Sequence, residues 1–144
     1  MYNRREIGSR NLLLAEVRRD PVASFLLRKS ALTDAQLDTI LSADKEGSLD
    51  FKRGLREKGR VSKGSFARTL KQGQNNIESS MYTLFLLAYL GIVPPENFTQ
   101  FSRTTRILGQ LKEAEPTRED IQKVIDAMEN FARGFSNAKR KVIL

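Results

Sequence analysis

The sequence predicts an all-α protein, a compact bundle of five to six helices. Three observations point there. Apolar residues recur at three- and four-residue steps along most of the chain, as the turns of a helix require. No stretch alternates convincingly enough to read as a strand. Ser, Thr and Pro at helix starts, with Gly at helix ends, punctuate the periodic segments.

The first periodic segment, residues 11–19, carries Leu12, Leu13 and Val17, and Pro21 interrupts it. Residues 22–29 continue with Phe25 and Leu26. Thr33 is a good N-cap for a helix over 34–42, with Asp34 in the first turn and Leu37, Ile40 and Leu41 on one face. The acids Asp34, Asp38 and Asp44 read as a solvated helix face. A basic helix follows over 49–58, with Leu49, Phe51 and Leu55 apolar and Gly59 placed to close it.

Ser62 caps the next helix, 63–71, whose Phe66, Ala67 and Leu70 form a short apolar stripe. Gly weakens a helix interior by about 1 kcal/mol relative to Ala, so at the polar Gln72-Gly73-Gln74 segment the chain either turns, as a hinge, or runs on as a single long helix. From Asn75 the periodicity resumes through Ile77, Met81, Leu84, Leu87 and Leu90, and Phe85, Leu86 and Tyr89 make the helix apolar nearly all round. Such a helix is expected in a core or against a second subunit. Gly91 and Pro94-Pro95 end it. Residues 96–113 read as a further helix, and a last one spans 117–136 with the stripe Ile121, Val124, Ile125, Met128, Phe131 and Phe135. A basic tail occupies 137–144. With no internal repeat and no long linker, residues 1–144 are expected to form a single helical domain.

Composition narrows the function. The chain of 144 residues has no Cys and no His, which removes disulfides, thiolate chemistry, Cys-based zinc sites and the commonest acid–base group. No catalytic constellation, metal site or cofactor motif is present, so a binding protein is expected rather than an enzyme. The longest apolar run, 81–93, is shorter than the roughly 20 residues a membrane helix needs, so no membrane association and a cytoplasmic location are expected. The net charge of +8 favours polyanionic partners. Its distribution is uneven. Residues 50–71 hold eight basic and two acidic side chains, whereas 33–47 and 112–130 are each net −3. Clustering around 50–71 and the two ends of the chain points to nucleic acid.

The segment 49–93 resembles the helix-turn-helix of winged-helix transcription regulators of archaeal and bacterial type. Leu55-Arg56-Glu57-Lys58-Gly59-Arg60-Val61-Ser62 resembles the end of their first helix and the entry to the second. Phe66-Ala67-Arg68-Thr69-Leu70 looks like the second helix, with a small Ala at the crossing. Ile77 falls where the family buries an aliphatic residue in its recognition helix. Leu87 to Val93 resembles the close of that helix, but Pro94-Pro95-Glu96-Asn97 and helical sequence stand where the wing would be. The resemblance implies sequence-dependent DNA binding, by a transcriptional regulator or chromosome-associated factor.

Double-stranded DNA is therefore the expected partner. The candidate contacts are Arg53, Arg56, Lys58, Arg60, Ser62, Lys63, Arg68, Lys71, Gln72, Gln74, Asn75, Asn76 and Ser79. Cations would hold phosphates and amides would read adenine edges. Core or dimer contacts are expected at Ile77, Met81, Leu84, Phe85, Leu87 and Tyr89, and a homodimer is expected. Two other readings stay open: an RNA-binding or ribosome-associated helical protein, and a protein–protein adaptor with a basic face.

Overall fold

The structure, a computed structural model, describes residues 12–137. All regular structure among them is helical: α1 (Leu14–Arg19), α2 (Pro21–Lys29), α3 (Asp34–Ala43), α4 (Leu49–Gly54), α5 (Lys63–Tyr89), α6 (Pro95–Leu111) and α7 (Arg118–Ser136). The chain divides into two compact units, Met1–Ser80 and Met81–Leu144, and the division falls within α5. The expected helix start at Asn11, and the basic tail beyond Asn137, lie outside the described residues.

Local chemistry accounts for most helix ends. Asp20 ends α1 and caps α2, its carboxylate accepting from the amides of Val22 and Ala23, with Pro21 at the first helical position. Thr33 and Gln36 form a capping box on α3, as Thr117 and Asp120 do on α7. Ser48 caps α4, and Ser62 accepts from the amide of Ser65 at the start of α5. The other end of α5 is a Schellman closure. Gly91 adopts φ +69°, its amide donates to Ala88 O, and the Ile92 amide donates to Leu87 O.

Within the first unit, α1 packs on α2 and α3, and α3 packs on α4. Leu14, Val17, Phe25 and Phe66 are buried there. So are polar groups: Asp38, Thr39, Ser42, Arg53 and Arg56. In the second unit α6 and α7 meet through aromatic rings. Phe98 lies edge-on to Phe135 at 5.4 Å, and Phe101 lies near-parallel to Phe131 at 6.5 Å. The apolar stripe of α7 is thus engaged within its own unit.

Two expectations need correction. The basic helix expected over 49–58 stops at Gly54, and residues 55–62 form a turn in which Gly59 takes φ +86°. More consequential is the segment 72–76, which is helix interior and not a hinge. Gly73 is buried, and a Cβ built on it would lie 2.9 Å from Ile40 Cδ1 and 3.3 Å from Gln36 Cβ. The glycine marks a close crossing of α5 over α3. Sequence alone does not separate that use of Gly from a turn, because both exploit the missing side chain.

Candidate nucleic-acid interface

The thirteen expected contacts separate into three groups. The first serves the fold. Arg56 Nε donates to Asp38 Oδ2 at 2.9 Å, and the Glu57 amide donates to the same oxygen at 2.9 Å. Both side chains of this pair are at most 6% exposed. Asp38, expected on a solvated face, is instead the buried anion that ties α3 to the turn after α4. Arg53 is also buried, donating to Val61 O at 3.0 Å and pairing with Asp50. That hydrogen bond, with the guanidinium charge beside it, holds the Asp50 carboxyl below its ordinary value. Neither Arg53 nor Arg56 is available to a phosphate. Asn76 belongs to the same group. Its amide nitrogen donates to Ala31 O and Gln36 Oε1, both at 3.0 Å, fastening the middle of α5 to the start of α3.

A second group surrounds the entry to α5. Lys58, Arg60, Ser62 and Lys63 are exposed. Arg60 lies 3.2 Å from Asp50, but both side chains are about 60% exposed, so the pair holds the guanidinium weakly. Ser62 is engaged as the cap.

The third group lies along α5 itself. Arg68, Lys71, Gln72, Asn75 and Ser79 are all exposed, and they follow at i, i+3, i+4, i+7 and i+11. That spacing puts them on one side of a straight helix. Gln74 is exposed beside them. Among the described residues no carboxylate pairs with Arg68 or Lys71. The opposite side of the helix carries Phe66, Gly73 and Asn76 and faces α3. Removing the hinge therefore brings cations and amides onto one continuous face that a bent segment would have split.

Of the residues expected in a core or dimer, Leu84 and Leu87 are half-buried. Ile77, Met81, Phe85 and Tyr89 are exposed, Tyr89 at 89%.

One long-range contact near the candidate face is not legible in the sequence. Arg18 bridges Asp34, at 2.8 Å, and Glu57. Hydrogen bonds to the two carboxylates raise its pKa above the ordinary value. No short-range pattern announces a partner 39 residues away.

Among the described residues no cluster of acidic, His or Cys side chains is suited to a metal ion, and no helix is long and apolar enough to cross a membrane. Compared with protein-family models, curated proteins and solved structures, the chain matches none.

Proposed function

We propose that the protein binds double-stranded DNA through the outward face of the first half of α5, as a transcriptional regulator or chromosome-associated factor. The observation that supports this is the exposed stripe Arg68, Lys71, Gln72, Asn75 and Ser79, with Lys58, Arg60 and Lys63 at the helix entry. A helix-turn-helix needs a bend that α5 does not have. The reading therefore rests on one helix presenting one face. Residues 63–79 would span about 25 Å, and a helix of roughly 10–12 Å diameter fits the major groove. Cations on the stripe would neutralise phosphates, and Gln72 and Asn75 would meet base edges.

A salt-titrated binding assay on random duplex DNA, with structured RNA as competitor, tests it. Each of Arg68→Ala and Lys71→Ala should reduce the salt slope by about 1 and weaken all sequences alike. Gln72→Ala or Asn75→Ala should relax sequence preference by about 1–3 kcal/mol per lost bidentate contact. Affinity that ignores salt and all four changes would sink the reading. Preference for the RNA competitor would move the same face to RNA.

A further inference from the structure

We propose that the outward side of the last turns of α5 is where two copies of this chain associate. Six large apolar side chains stand exposed between Met81 and Leu90: Met81 (47%), Tyr82 (70%), Phe85 (61%), Leu86 (55%), Tyr89 (89%) and Leu90 (54%). The first five follow at i, i+1, i+4, i+5 and i+8, which covers one side of the helix. Leu84 and Leu87 occupy the other side and are half-buried. The Tyr82 and Phe85 rings lean edge to face at 6.4 Å within the patch.

Its size selects the kind of partner. With on the order of 200 Å² for a fully exposed large side chain, these fractions amount to roughly 750 Å². The largest apolar patch on a typical monomer is about 300–600 Å². One side of a standard protein interface is about 800 Å². A small-molecule contact would leave most of the surface wet.

Charge selects a second copy. Residues 79–95 contain no Asp, Glu, Lys or Arg. An acidic or basic partner would find nothing to pair with. Anionic lipid headgroups would find no cation of the sort that interfacial helices carry. An identical face meets both requirements at once. Two uncharged aromatic surfaces related by a two-fold axis are self-complementary, and the hydroxyls of Tyr82 and Tyr89 can stay at a wet rim. This inference does not rest on DNA binding, since it uses none of the cations on the helix.

The test is the mass of the full chain in solution, by sedimentation equilibrium and light scattering from about 1 to about 100 µM. The wild type should reach twice its 16.4 kDa chain mass. Phe85→Glu and Leu86→Glu should each shift the dimer dissociation constant upward at least about 100-fold, placing two like charges in a desolvated contact. Both side chains are exposed in the single chain, so unchanged far-ultraviolet circular dichroism should accompany the loss. Ile107→Glu, at an exposed position of α6, should leave the dimer intact. A wild type that stays monomeric throughout overturns the proposal, as does a dimer that survives both α5 changes. Flotation of a monomer with phosphatidylcholine–phosphatidylserine vesicles overturns it in favour of a lipid surface.

Discussion

Between residues 12 and 80 the buried interior is half polar: Asp38, Thr39, Ser42, Arg53 and Arg56 stand beside Leu14, Val17, Phe25, Phe66 and Gly73. Between 81 and 137 only Val93 and Met128 are buried, while eight of the twelve exposed large hydrophobics lie there. Each unit departs from an oily core, but in opposite directions. In the first, ion pairs and hydrogen bonds bring loops and helix ends together, and four large hydrophobics stay exposed: Leu26, Leu49, Phe51 and Ile77. In the second, apolar surface exceeds what the unit covers by itself. A buried polar group must be matched by a specific partner, whereas exposed apolar area can be covered by any complementary surface. The first unit is thus specified from within, whereas the second leaves large apolar side chains exposed.

The sharpest way to break this contrast is Asp38→Ala. It strands the Arg56 guanidinium and the Glu57 amide in the interior, and such a loss costs about 3–5 kcal/mol. Urea unfolding followed by circular dichroism reads it. A loss under about 1 kcal/mol would show that the first unit does not depend on its polar interior.

Gly73 gives the next largest effect. Gly73→Leu pushes a side chain into Ile40 and Gln36 and should cost about 1–3 kcal/mol. Gly73→Ala should stay within about 1 kcal/mol of wild type, because the gain in helix propensity offsets the displacement of the Ile40 terminus. Equal tolerance of Leu and Ala would mean that α5 and α3 do not cross closely.

The smallest effect concerns the capping box of α7. Thr117→Ala should cost about 1 kcal/mol, confined to the second unit and visible as faster amide exchange in its first turn. The box also carries a pH signature. The Thr117 amide, which donates to Asp120 Oδ2 at 3.1 Å, and then the Thr117 hydroxyl hold the Asp120 pKa below its ordinary 3.8. A carboxyl with a depressed folded value contributes stability that is present above 3.8 and is lost as pH falls through the depressed value. Asp120→Asn should therefore flatten the acid side of the stability profile without changing its neutral plateau in shape. A profile that steepens instead would contradict the assignment.

Sequence by itself determined what depends on neighbours along the chain. The all-helical class follows from apolar spacing. The caps at Thr33, Ser62 and Thr117 and the stop at Gly91 follow from side chains and φ freedom acting within one turn. The apolar character of residues 81–90 and the charge excess of 50–71 were equally legible, being sums over local composition. Only the tertiary structure decided which of those charges face outward. Arg56 and Arg68 look alike in sequence, yet Asp38, 18 positions from Arg56, buries the first and nothing buries the second. Gly73 looks like a hinge until Ile40 is placed against it. Pairings across tens of residues are set by packing, and packing leaves no periodic trace in the residues it selects.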